Sequence, residues 1–127
     1  MELAHIALYV QDLERVKDFY TRFFGAVANQ KYHNPKTGLQ TYFLSFESGA
    51  RIELMTRPDL APSEKSLCTT GYTHIAFRLG SPEKVDALTE TLKAAGCHLL
   101  SGPRTTGDGY YESVLLDPEN NQLELVA

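Results

Sequence analysis

Apolar positions alternate over residues 2–10, where Ala4, Ile6, Leu8 and Val10 share one face and His5, Ala7 and Tyr9 the other. A period of two marks a strand covered on one side only. The period then lengthens: Leu13, Val16, Phe19, Tyr20, Phe23 and Phe24 recur at helical spacing and predict a helix over 13–24, with Asp12 as N-cap and Gly25 as its stop. Three more strands are predicted near 26–33, 39–47 and 50–57, separated by Asn34-Pro35-Lys36-Thr37-Gly38 and by Ser48-Gly49. Residues 58–71, polar and interrupted by Pro58 and Pro62, read as a linker. The same order then returns. A strand is predicted over 72–79, a helix over 82–95 opened by Ser81-Pro82 and buried through Val85, Leu88, Leu92 and Ala95, and strands near 97–104, 109–116 and 121–126.

The return is a repeat. HIALYV at 5–10 recurs as HIAFRL at 74–79, an offset of 69, whereas Gly25 and Gly96, and RIELM at 51–55 and QLELV at 122–126, are offset by 71. A second helix longer by two residues accounts for both spacings. The chain is thus expected to be one α+β domain of two βαβββ modules, about 1–57 and 72–127, with two curved sheets forming a cup and the helices outside.

Composition changes this picture little. With 127 residues, 43% hydrophobic and 22% charged, the chain can fill a core, and its net charge of -4 offers no basic footprint for nucleic acid or an anionic membrane. No apolar run approaches a membrane span, and MELAHIALYV lacks the basic region and cleavage site of a signal peptide. Cys68 and Cys97 form no motif and read as free thiols of a cytoplasmic protein.

Chemistry concentrates on the face that the helices leave open. Alternation puts His5, Glu53, His74 and Glu124 there, with Tyr9, Arg57 and Arg78 beside them as candidate contacts for an anionic substrate. A lone strand histidine is usually structural, and His33 and His98 are read that way. Recurrence of both His and both Glu at repeat-equivalent positions is different, because two carboxylates buried together call for a cation. Two imidazoles and two carboxylates suit a borderline divalent ion such as zinc, nickel, cobalt, iron or manganese. Thr106-Gly107-Asp108-Gly109, before Tyr110 and Tyr111, is a candidate flap. No nucleophile elbow or phosphate-binding loop is present.

HIALYVQDLERVKDFYTRFFG, GYTHIAFRL and LLDPENNQLELV resemble the opening strand and helix, the second-module strand and the closing hairpin of the vicinal oxygen chelate superfamily, which includes glyoxalase I, bleomycin-resistance proteins, fosfomycin-resistance thiol transferases, methylmalonyl-CoA epimerase and extradiol dioxygenases. His5, Glu53, His74 and Glu124 match the four ligand positions of glyoxalase I. That resemblance implies one divalent metal per site (nickel, cobalt or zinc) and conversion of a thiohemiacetal of methylglyoxal to a lactoyl thioester, with Glu124 or Glu53 as the base. It also implies a homodimer, the modules pairing within the chain or by exchange across it. Tyr9 and Arg57 stand where glutathione-using relatives carry arginine and asparagine, which leaves the thiol open. Other readings are another metalloenzyme of the superfamily (epimerase, thiol transferase or dioxygenase) and a metal-free protein that binds a small ligand.

Overall fold

The computed structural model describes residues 1–127 and places them in two compact units, Met1–Ser63 and Glu64–Ala127. The first runs β1 (His5–Tyr9), α1 (Leu13–Phe24), β2 (Val27–Ala28), β3 (Tyr32–His33), β4 (Gln40–Ser45) and β5 (Arg51–Thr56). The second runs β6 (His74–Arg78), α2 (Pro82–Ala94), β7 (Leu99–Thr105), β8 (Tyr111–Leu116) and β9 (Gln122–Val126). The class is α+β, with two sheets and two helices, as the periodicities predict. Strand order is β1-β5-β4-β2 in one sheet, with β3 also on β4, and β6-β9-β8-β7 in the other. In each unit the first strand runs parallel to the last, because the helix between them carries the chain back across the sheet, and the rest are antiparallel.

Local chemistry sets the helix limits. Asp12 accepts from the Arg15 amide at 3.0 Å and Ser81 from the Lys84 amide at 3.4 Å, while Pro82 opens α2 without losing a bond. At the far ends Gly25 (φ 64°) and Gly96 (φ 92°) take the left-handed conformation that a side chain resists. Gly96 then closes a Schellman turn, its amide donating to Lys93 and that of Cys97 to Leu92, both at 2.9 Å.

One face of each sheet is closed by its helix. Val16, Tyr20, Leu44 and Leu54 are fully buried in the first unit, and Val85, Leu92, Leu115, Leu123 and Leu125 in the second. Each such side chain contributes about 1.5–3 kcal/mol relative to exposure. The stripe of α2 differs from expectation: Ala95 is exposed and Leu88 half-buried, whereas Thr89 is buried. Its hydroxyl bonds the Val85 carbonyl and the Ser113 hydroxyl of β8, both at 2.6 Å, so a polar residue fits the core by being fully paired.

The strand predicted over 26–33 is two short ones. Asn29 bonds Phe43 twice, its amide donating to the Phe43 carbonyl at 3.0 Å and its side chain accepting from the Phe43 amide at 2.7 Å. Pairing then slips by one residue, from Ala28↔Leu44 to Tyr32↔Thr41. In the second unit the slip lies between β7 and β8, on either side of Ser101, where Gly102 (φ 82°) approaches β8 so closely that a Cβ would meet the Glu112 carbonyl at 2.5 Å.

Glu14 ties α1 to the sheet, 2.9 Å from Lys31 and 3.1 Å from Lys17, and accepts from the Tyr42 hydroxyl at 3.2 Å. The Lys31 ammonium holds its carboxyl below the ordinary 4.5 against the opposing effect of burial, with Lys17 and Tyr42 adding; Lys17 itself is pushed up to about 12 by Asp18 and Glu14. A carboxyl that ionises more readily folded than unfolded stabilises fully above its ordinary pKa and loses that contribution as pH falls through the lower folded value. Glu14→Gln should therefore cost less than about 1 kcal/mol at neutral pH, the pair being half-exposed, and almost nothing in acid. Denaturant unfolding at both pH values checks this; an equal gap in acid would contradict it.

Candidate functional site

The open face of each sheet carries one imidazole and one carboxylate, placed by strand register. Parallel pairing sets Ala7 beside Glu53 and Ala76 beside Glu124, with His5 and His74 two residues earlier on the same face. Alanine leaves the space into which the carboxylate and the imidazole both lean. His5 Nε2 lies 3.5 Å from Glu53 Oε2, and His74 Nε2 lies 3.5 Å from Glu124 Oε2. The histidines are 39% exposed in both pairs, and the glutamates 18% and 17%. Two crevices so alike from strands 69 and 71 residues apart are the structural form of the repeat.

The separation bears on what the pairs can hold. A charge-assisted hydrogen bond draws nitrogen and oxygen to about 2.7–2.9 Å. Two donors each ~2.0–2.2 Å from one ion, at a tetrahedral angle, lie about 3.4 Å apart. The donors here sit near the second spacing, and each pair alone supplies two donors. No group of three or more His, Cys, Asp or Glu side chains gathers in the chain; the predicted ligands come together as two pairs.

The surroundings of the pairs differ. In the first unit Phe43 pairs with Glu53 across the strands and meets the His5 ring edge-on, centroids 5.4 Å apart, while Arg51 covers the Phe43 ring at 4.6 Å. In the second unit Val114 takes that place, and the Thr73 hydroxyl lies 3.2 Å from His74 Nδ1, fixing the ring so that Nε2 points to Glu124.

Glu112 was missed by sequence reasoning. It pairs with Val126 on β9, which puts it diagonal to Glu124 on the open face, and its carboxylate is 13% exposed beside Arg104 at 3.5 Å. Its equivalent in the first unit, 71 residues earlier, is the buried Thr41, so recurrence could not find it; alternation along β8 could have. Burial raises the Glu124 carboxyl above 4.5, and the charge and hydrogen bond of Glu112 raise it further with a contribution from Asp108, against the His74 imidazole.

The predicted substrate contacts lie at the strand ends. Arg57, past the end of β5, is held by Asp59 through Nε and through Nη2 at 2.8 Å; Asp59 first, then Tyr9, raises its pKa. Arg57 is thus already ion-paired. Tyr9 is half-exposed, and Arg78 donates to the Ala127 carbonyl at 3.4 Å. His33 and His98 are exposed, and Cys68 and Cys97 are both free thiols. The candidate flap is a closed turn: the Thr106 amide donates to the Tyr110 carbonyl at 2.8 Å and its hydroxyl bonds Asp108. No helix is long and apolar enough to cross a membrane.

The model of the Glyoxalase/Bleomycin resistance protein/Dioxygenase superfamily matches residues 2–125. The chain belongs to that superfamily. Within the superfamily, similarity is spread across activities. The chain is 34% identical to the fosfomycin resistance protein FosX of Listeria monocytogenes over 98% of its length and 88% of that protein. It is 29% identical to a probable lactoylglutathione lyase of Vibrio cholerae, over 98% of its length and 88% of that protein. Among solved structures, glyoxalase I of Leishmania major superposes with a TM-score of 0.80 at 21% identity, covering 99% of this chain and 86% of that one. FosX, solved with Mn(II), superposes with a TM-score of 0.74 at 28% identity, covering 98% and 90%. The superfamily includes metalloenzymes that act on small molecules.

The environment of Glu124 makes a prediction. Removing the charge of Glu112 in Glu112→Gln should lower the Glu124 pKa in metal-free protein, yet leave it above 4.5, because burial is the larger cause. Carboxyl-carbon NMR titration would show this; an unmoved Glu124 would mean the two carboxylates do not interact.

Proposed function

We propose that this chain is a divalent-metal-dependent enzyme of glyoxalase I type that isomerises a thiohemiacetal of methylglyoxal to a lactoyl thioester. The observation carrying this reading is the doubled imidazole–carboxylate pair, with the same 3.5 Å separation in both units. His5, Glu53, His74 and Glu124 would hold the ion, which is nickel, cobalt or zinc on this reading. Four ligands need both pairs, brought together within the chain or by exchange across a homodimer, and we expect a homodimer in either case.

When bound, a divalent ion supplies a Lewis acid for the two neighbouring oxygens of the substrate. The chain's own residues do the rest. One glutamate takes the proton from the carbon bearing sulfur and hydroxyl and returns it to the adjacent carbonyl carbon, while the hydroxyl proton passes to the neighbouring oxygen, so the reaction needs no oxidant or reductant. Glu124 suits this role, because its carboxylate is enclosed on the open face and stands beside a second carboxylate, Glu112. The His74 ring stands 3.5 Å from that carboxylate, beyond the reach of a close charge-assisted hydrogen bond. Tyr9 and Arg78, at the strand ends, border the thiol portion, and Arg57 would join them only by exchanging Asp59 for a substrate anion.

A second reading is favoured by the 34% identity to FosX: a metalloenzyme of fosfomycin-resistance type acting on a small epoxide. Glu53 speaks against it, since three-ligand members of the superfamily lack a glutamate there.

Purified protein should contain about one divalent ion per site and form lactoyl thioester from methylglyoxal with at least one of a panel of thiols. Glu53→Ala and Glu124→Ala should each lose metal and at least about a hundredfold in turnover. Elemental analysis and thioester absorbance check both. Unchanged metal and turnover in either variant would overturn the reading, and fosfomycin consumption without thioester formation would transfer it to the second.

A further inference from the structure

Of the arginines on or beside the open faces, one donates its guanidinium to no acceptor. Arg57 is held by Asp59, Arg104 meets Glu112, and Arg78 donates to the Ala127 carbonyl. Arg51, exposed in the first unit, instead lays its guanidinium 4.6 Å from the centroid of the Phe43 ring. Register sets Arg51 beside His5 and Phe43 beside Glu53. The ring that carries the cation is thus the ring that meets His5 edge-on, centroids 5.4 Å apart. Cation, ring, imidazole and carboxylate form one cluster on one face.

The cluster is particular to this half. At an offset of 71, Arg51 and Phe43 correspond to Gln122 and Val114, so cation and ring are absent together while the His–Glu pair is kept. Gln122 has a different use, its side-chain amide donating to the Leu67 carbonyl at 3.5 Å. A cation and its platform that occur together in one half answer a need that the shared pair does not have.

A guanidinium without an anion is a poor neighbour for a divalent ion, since the two charges repel. An anion lying between them turns that repulsion into attraction on both sides. Stacking suits Arg51 to such use: the ring holds the planar fork by cation-π attraction and leaves its N–H edges free to donate. A fork already ordered loses little freedom when it takes a carboxylate through two parallel bonds.

We infer that Arg51, seated on Phe43, binds an oxyanion carried on the substrate's own carbon skeleton, a few bonds from its two neighbouring oxygens. Of the 2-oxo aldehydes whose thiol adducts the site would accept, an acidic one is then preferred to methylglyoxal. Arg51 selects by its hold on the acidic tail, while the His–Glu pairs serve the reacting oxygens. This rests on the reading of the His–Glu face as the metal and substrate face.

The test reads binding, not turnover. Succinic monohydroxamate offers two neighbouring oxygens and a carboxylate tail, and its methyl ester offers the same oxygens without the charge. Each is titrated into the metal-loaded protein by calorimetry. The acid should bind on the order of tenfold tighter than the ester, and the gap should shrink as salt rises. Arg51→Met should erase the gap with metal content and circular dichroism unchanged, and Phe43→Leu should narrow it. Arg15→Met, which removes the same charge from α1, should leave it intact. Equal affinity of acid and ester, binding of neither, a gap untouched by Arg51→Met or by Phe43→Leu, or one lost equally in Arg15→Met would overturn the proposal. Lactoyl thioester formation without the gap would leave the glyoxalase reading standing alone. The gap without thioester formation would remove that reading and keep the oxyanion site.

Discussion

Parallel pairing of the first and last strands in each unit is the constraint from which the chemistry follows. Only because β1 lies in register against β5, and β6 against β9, does each imidazole share a crevice with a carboxylate distant in sequence. The crossover helix makes that pairing topologically available, and its apolar stripe makes it stable by covering the far face. Shifting either pair by one residue would turn His and Glu toward the helix and leucines toward solvent, at a cost of several buried side chains. Core and site therefore enforce the same register from opposite faces of the same strands.

The order of strands and helices is written plainly in the sequence, because changes of hydrophobic period and the glycines that follow each helix mark it directly. Alternation also tells which face His5 or Glu124 takes. It cannot tell which residues become neighbours across strands. Thr89 was hidden because a polar residue reads as exposed until its partner Ser113, on another element, is known. Asn29 splits a predicted strand by bonding Phe43 with side chain and backbone together, which no periodicity announces. Glu112 escaped for another reason: recurrence finds only what both halves kept, and the first half has Thr41 there.

Duplication thus gives the molecule two kinds of information. Positions that stayed alike, such as the two His–Glu pairs, mark what the halves need in common. Positions that diverged mark what one half does alone: Phe43 stacked on His5 and beneath Arg51 in the first unit, the Arg104–Glu112 row in the second. Aromatic packing suits an orienting role, since a ring pressed edge-on leaves the imidazole little freedom to swing.

Gly102 gives this divergence a physical limit. With φ at 82° and space for no Cβ against the Glu112 carbonyl, it lets β7 lie against β8 at the level where Arg104 meets Glu112. A bulkier residue would act as a wedge, prising the edge strand outward and pulling the guanidinium off the carboxylate without altering either charge. The spacing of this charge pair is thus tunable from a backbone position that carries no charge of its own.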